Sequence, residues 1–345
     1  VEIAWDASVE IAISSTNITQ VPADLVALKY ADGFHGADKA VAKVIGFNGF
    51  IAPGQARFCK GTGVAAAEVV FISVGALRDF RYERIHEFGK RAIELVRQHQ
   101  NPIRHLALTV HGPGYGLDLE QAFLSMIAGI IGESKRAECA LQKITVADYS
   151  ERRCDQLNRI LQDHLHEFGL QQSEGLVTVP VAEATAPTNS HRNETNNSTS
   201  NSIAEFGARA EEKPRIFVAM PFAEEFVDEF EIGFHEAAKE SSFICERLDL
   251  EAFTGDIVEE IKTRIIGSHG VIALLNSHNP NVFLEIGFAL AHGKPTILVA
   301  KEGVKMPFDV SAHRCIRYRS ITELRKLLSA EIATLKAKGV LKKNS

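Results

Sequence analysis

The chain has 345 residues, 45% of them hydrophobic, with 38 basic against 44 acidic side chains and a net charge of −6. That length holds two domains of ordinary size, each with its own core, and the mild acidity argues against bulk binding of nucleic acid, which needs a basic stripe to displace counterions. No apolar run approaches the ~20 residues that span a bilayer, and the five cysteines, odd in number and without a CxxC pair, offer no zinc spacing.

These features predict a cytoplasmic chain with reduced thiols, no metal, no membrane segment and no direct nucleic-acid partner. Val1-Glu-Ile-Ala-Trp-Asp6 has neither the basic n-region nor the long h-region of a signal peptide. A chain that opens on Val1 is expected to start upstream or to have been processed. The basic stretch from Lys336 to Lys343 reads as a solvated C-terminus.

Residues 1–182 read as one α/β domain. Leu25–Tyr30 is strand-like, Ala31 to Asp38 is rich in turn formers, and Lys39–Ile45 continues with helical spacing. Glu68–Val74 is a second buried strand. Arg84 to Gln98 has the i, i+3, i+4 period of an amphipathic helix. A strand, His105–Val110, then leads through His111-Gly-Pro-Gly-Tyr-Gly116 into a helix from Leu119 to Ile131. Strand Lys143–Ala147 and a helix from Ser150 to Phe168 complete a βαβ alternation.

Gly112, Gly114, Tyr115 and Gly116 are the candidate regulatory ligand-binding residues of this domain. Glycines between a strand and a helix let backbone amides approach an anion, and the helix dipole favours it. The spacing is neither GxGxxG nor a P-loop, and a tight structural turn accounts for it equally well.

The pattern Asp24-Leu-Val-Ala-Leu, Ala31-Asp-Gly, Gly36-Ala-Asp38-Lys, Val74-Gly75 and Gly112-Pro-Gly-Tyr-Gly116-Leu-Asp resembles the macro-like N-terminal domain of leucine aminopeptidases, over residues 20 to 135. The resemblance implies a domain that binds an ADP-ribose-like ligand through the glycine loop. No aminopeptidase metal domain follows, so that chemistry does not carry over. Residues 183–212 are expected to be a flexible linker, because Ala184 to Asn201 has almost nothing apolar to bury.

Residues 213–345 form the second domain. Strand Arg215–Met220 runs into Pro221-Phe222, and a helix is predicted from Glu224 to Glu240 with Phe226, Phe230, Phe234 and Ala237 on one face. Strand Phe243–Leu248 precedes a helix opening near Asp256, a candidate cap. Strand Val271–Leu275, helix 283–292, strand Thr296–Ala300, a short strand Arg314–Tyr318 and a helix from Thr322 follow. Five strands alternating with helices predict a flavodoxin-like, doubly wound parallel sheet.

Phe217-Val-Ala-Met-Pro-Phe222, Asn279-Pro-Asn-Val-Phe-Leu-Glu285-Ile-Gly-Phe-Ala, Gly293-Lys-Pro295 and Pro307-Phe-Asp309 together resemble the nucleoside 2-deoxyribosyltransferase family and its TIR-like, NAD⁺-cleaving relatives. In that family the glutamate of this helix is the nucleophile or charge stabiliser at the anomeric carbon, and Glu285 is the matching residue. Ser268-His-Gly270 and Leu275-Asn276 stand where the family often has aspartates, which favours glycosidic cleavage over deoxyribose transfer.

The chemistry suits a single carboxylate. Breaking a C1′–N bond builds positive charge on the ribose, which a carboxylate beneath it stabilises or attacks. A nicotinamide leaving group is already cationic, so no general acid is required. The helix N-terminus is expected to keep Glu285 ionised.

Met220, Pro221 and Phe222 are expected to line a base pocket, and Asn279, Asn281 and Asp256 to bind the sugar. His269, His292 and Phe288 read as structural. The expected activity is an N-glycosidase on NAD⁺, taken as substrate and not as cofactor, or on a related nucleotide. The resemblance implies an oligomeric effector of bacterial antiviral defence, regulated by an ADP-ribose-like or cyclic nucleotide. The alternatives are a nucleoside 2-deoxyribosyltransferase and a non-catalytic nucleotide-binding module.

Overall fold

The structure, a computed structural model, describes residues 8–135, 140–173, 175–180, 205–248, 257–310 and 313–342. Contacts group the chain into two compact units, residues 1–113 with 119–211, and residues 114–118 with 212–345. Of the expected linker, 183–204 lies outside the described residues. Its last part, Phe206–Glu212, is a helix with Phe206 and Ala210 buried.

The first unit is built on eight strands: β1 (Ser8–Ser14), β2 (Leu25–Tyr30), β3 (Ala56–Lys60), β4 (Glu68–Ser73), β5 (His105–Leu108), β6 (Lys143–Ala147), β7 (Gln171–Ser173) and β8 (Leu176–Pro180). Their order is β3-β4-β2-β5-β6-β1-β8-β7. The five from β4 to β1 are parallel, and β3, β8 and β7 are added antiparallel. Every residue of β2 is buried, as a parallel strand covered on both faces requires.

The helices of this unit are α1 (Ala37–Ile45), α2 (Tyr82–Gln98), α3 (Leu119–Ser134), α4 (Glu151–Asp163) and a single turn, α5 (Leu165–Phe168). One helix was expected from Ser150 to Phe168, and the chain instead breaks at His164. The imidazole Nδ1 lies 2.8 Å from the Ile160 carbonyl oxygen, the acceptor that the next helical amide needs. Helices α2 and α3 meet backbone to backbone. A Cβ at Gly89 would lie 2.4 Å from the Met126 carbonyl oxygen, and one at Gly129 would lie 2.1 Å from that of His86. Nothing larger fits, although a mid-helix glycine costs roughly 1 kcal/mol against alanine.

The second unit has β9 (Arg215–Ala219), β10 (Ile244–Glu246), β11 (Gly270–Leu274), β12 (Thr296–Lys301) and β13 (Cys315–Tyr318). They form one sheet of order β10-β9-β11-β12-β13, parallel throughout. This is the flavodoxin-like winding that the sequence predicts. Its helices are α6 (Glu236–Glu240), α7 (Ile257–Gly267), α8 (Pro280–Ala291) and α9 (Ile321–Ala337). Alternate strand residues feed two cores. Ile216, Val218, Ile272 and Val299 pack with Ala237 of α6 and Leu324 of α9. Phe217, Ala219, Val271, Ala273 and Leu298 pack with Ile261 of α7 and Val282 and Ile286 of α8.

One predicted helix differs here as well. In place of a single α-helix from Glu224 to Glu240 there is a 3-10 turn (Glu224–Phe226), a π-helical stretch (Glu229–His235) and then α6. Gly233 lies against α9, where a Cβ would come 2.6 Å from a methyl of Leu324. The widened turn carries Glu229 inward, where it is buried and bound by Tyr318.

Candidate active site

In this winding the chain direction reverses between β9 and β11, and the carboxyl ends of such strands flank the ligand crevice of open α/β sheets. Met220, Pro221 and Phe222 follow β9 directly, and the segment from Leu275 to Asn281 follows β11, its neighbour in the sheet. Five of the sequence-predicted residues therefore sit at one edge: Met220, Pro221, Phe222, Asn279 and Asn281. Asp256 lies outside the described residues.

Helix α8 is specified locally at both ends. The Asn279 side chain accepts from the Asn281 amide at 2.9 Å, and Pro280 occupies the first turn, a favoured start. At the other end Gly293 has φ +63. There Gly293 N–H donates to Leu290 and Lys294 N–H to Ala289, the paired bonds of a Schellman stop. The Asn279 oxygen expected on a ribose hydroxyl is thus already engaged as the cap. The Asn281 side chain is exposed.

Glu285 lies on the buried face of α8 with Val282, Ile286 and Ala289, and is 6% exposed. Side chains on a helix lean toward its N-terminus, so this carboxyl points back toward the strand edge. Among the described residues it has no hydrogen bond or ion pair, and burial alone pushes its pKa up to about 8. The expectation that the helix N-terminus keeps it ionised is corrected. The dipole acts within the first turn, Glu285 is the sixth residue of α8, and desolvation outweighs it.

A buried polar cluster that sequence reading missed lies at the ends of β11, β12 and β13. The Tyr318 hydroxyl donates to Glu229 at 3.0 Å and accepts from the Asn276 amide at 2.7 Å. The Asn276 oxygen accepts from the Lys301 amide at 2.8 Å, and Lys301 Nζ lies 3.9 Å from Glu229. Burial, helped by the Glu229 carboxylate, holds the Tyr318 phenol well above its ordinary range. Only the pairing in space reveals this group.

Phe222 is 40% exposed. The guanidinium of Arg247, one residue beyond β10, lies over its ring at 4.4 Å and over that of Phe230 at 4.1 Å. Arg247 Nη1 is 3.8 Å from the sulfur of Met220, itself buried. His269 receives the Arg215 amide on Nδ1 at 3.2 Å, and Phe288 packs on the core beside α8.

The glycine loop divides between the units by contacts: Gly112 groups with the first, Gly114, Tyr115 and Gly116 with the second. Gly112 has φ +116 and Gly116 φ +81. A Cβ at Gly116 would lie 1.8 Å from the Arg247 carbonyl oxygen, so packing alone requires glycine there. Tyr115 is buried, and Gly114 has open space where a Cβ would stand.

The first unit holds an unforeseen buried group at the end of β2. Lys29 and Asp38 are both fully buried and pair at 3.2 Å. Asp38 also accepts from the His35 amide at 2.6 Å. The Lys29 amide donates to His111 Nε2 at 3.3 Å, and burial holds that imidazole well below its ordinary pKa.

Among the described residues no helix is long and apolar enough to cross a membrane, and no group of three or more His, Cys, Asp or Glu side chains could hold a metal ion. No family model matches the sequence, and no curated protein matches it. Solved structures do. A Trypanosoma brucei macrodomain in complex with ADP is 19% identical, with a TM-score of 0.38 over 44% of this chain and 68% of that one. The same macrodomain in complex with ADP-ribose gives the same values. An Oceanobacillus iheyensis macrodomain with ADP is 16% identical, with a TM-score of 0.39 over 47% of this chain and 98% of that one.

Proposed function

We propose that the second unit is an N-glycosidase that cleaves the bond between ribose and base in NAD⁺ or a related nucleotide, with Glu285 as the catalytic carboxylate. The observation that carries this reading is a buried carboxyl without a partner, leaning toward the carboxyl edge of a doubly wound sheet. A structural glutamate at such a site would be expected to have a hydrogen bond or a counter-charge.

A raised pKa fits a cationic substrate. Two unit charges 4 Å apart at an effective dielectric of 20 attract by about 4 kcal/mol, or roughly three pKa units. A pyridinium ribose placed over Glu285 therefore returns a carboxyl held at about 8 to its ionised form, releasing a proton on binding. The C1′–N bond then breaks with its electron pair leaving on the base, which departs as neutral nicotinamide. The carboxylate stabilises the cationic sugar. Water bonds to C1′ and its proton passes to solvent, giving ADP-ribose, nicotinamide and one H⁺.

The first unit is proposed to sense an ADP-ribose-like or cyclic nucleotide through the loop at 112–116, in an oligomeric effector of antiviral defence. The test is to incubate the full chain with NAD⁺, other nucleotides and deoxynucleosides, and to follow the released bases by chromatography. Net release of nicotinamide supports the glycosidase. Exchange of one base for another without net hydrolysis would assign a transferase instead, and saturable binding without product would assign a binding module.

A further inference from the structure

We propose that Arg247, clamped between Phe222 and Phe230 at the end of β10, receives the phosphate of the substrate, so that this site takes phosphorylated nucleotides in preference to free nucleosides. The proposal rests on the glycosidase reading of Glu285 for its chemistry but not for its binding prediction. The two rings at 4.4 and 4.1 Å cover the guanidinium and fix its plane. An arginine stacked in this way keeps its N–H donors in the plane's edge, in the fork that matches two phosphate oxygens. Its contact with the Met220 sulfur at 3.8 Å engages one N–H with a weak acceptor, which an anionic oxygen outcompetes. Phe222 stays substantially exposed, as a residue of a ligand clamp does and a core residue does not.

Position supports the assignment. β10 neighbours β9, and β9 neighbours β11, the strand that leads into the helix of Glu285. Two strand spacings of about 4.8 Å, roughly 10 Å in all, separate the ends of β10 and β11. That is the scale of the distance from an anomeric carbon to the 5′-phosphates of a nucleotide. Arg247 and Glu285 stand at the two ends of such a span, one for the anion and one for the C1′ cation, with Met220 to Phe222 between them.

The experiment compares nicotinamide mononucleotide with nicotinamide riboside, which differ by one phosphate, on the full-length wild type, Arg247→Gln and Arg247→Lys. Both kcat/KM for base release and equilibrium binding by calorimetry are measured. In the wild type the mononucleotide is expected to exceed the riboside at least tenfold by either readout. Arg247→Gln removes that advantage, through KM, and leaves the riboside values unchanged. Arg247→Lys retains part of it.

An advantage that survives in Arg247→Gln, an equal loss on both ligands, or no advantage in the wild type overturns the assignment. If neither compound is cleaved, the glycosidase reading falls, and calorimetry alone decides the phosphate site by the same comparison. Circular dichroism of each variant separates a lost site from a lost fold, and Phe222→Leu, which loosens the clamp at an exposed position, gives a second variant expected to lower the preference.

Discussion

An ionised carboxyl in the surroundings of Glu285 destabilises the fold that holds it, and the sign can be worked out. Its pKa is about 8 in the folded chain against an ordinary 4.5, so between those values the folded state keeps a proton that the unfolded state has released. Stability is therefore lost as pH rises from about 4.5 to about 8, by roughly 4 kcal/mol in all. Glu285→Gln stays neutral at every pH. Urea denaturation at pH 8.5 should find it more stable than wild type by a few kcal/mol, with the difference largely gone at pH 4.5. An unchanged pH slope in the variant would mean that Glu285 is not held protonated.

The same group sets a rate profile. kcat/KM for NAD⁺ should rise about tenfold per pH unit up to about 8, because it reports the free enzyme, while kcat should level off at lower pH, because bound substrate favours the ionised form. In the first unit, Lys29→Met leaves Asp38 buried without its cation, and thermal denaturation should register a loss of about 3–5 kcal/mol. At this scale the sequence exposes Glu285, since a lone carboxylate on an apolar helix stands out. It conceals Glu229, Arg247 and Lys29, whose partners come from elsewhere in the chain; Tyr318 reaches Glu229 across 89 positions.

Elements were legible where one physical signal dominates. The fully buried strands β2, β4, β11 and β12 are apolar runs, and α2 and α8 have clear periodicity or end signals. The unexpected strands include β3 and β7, whose residues are partly or wholly exposed. Their strand state comes from pairing with a neighbour rather than from composition. The π-helical stretch at Glu229–His235 also escapes a pattern reading, because it depends on the packing of Gly233 against Leu324. The close meeting of α2 and α3 makes its own prediction. Gly129→Ala should destabilise the first unit by about 1–3 kcal/mol through overpacking, seen as a lower melting temperature, whereas alanine at Gly114, which has open space, should be nearly neutral.

At the scale of the whole molecule the chain carries two compact units, and the account gives them separate tasks. If the first senses a nucleotide, adding ADP-ribose or a cyclic nucleotide should change the rate of base release by the full chain severalfold. A fragment of residues 212–345 should show no such response. Equal behaviour of the two would remove the sensor while leaving the catalytic proposal intact.

The most direct test of that catalytic proposal is nicotinamide release from NAD⁺ at pH 8 by wild type and Glu285→Gln side by side. The account predicts multiple turnovers by the wild type and a loss of at least about 100-fold in the folded variant, on the scale of removing one electrostatic stabiliser of a transition state. Release that persists at the wild-type rate in Glu285→Gln would contradict it.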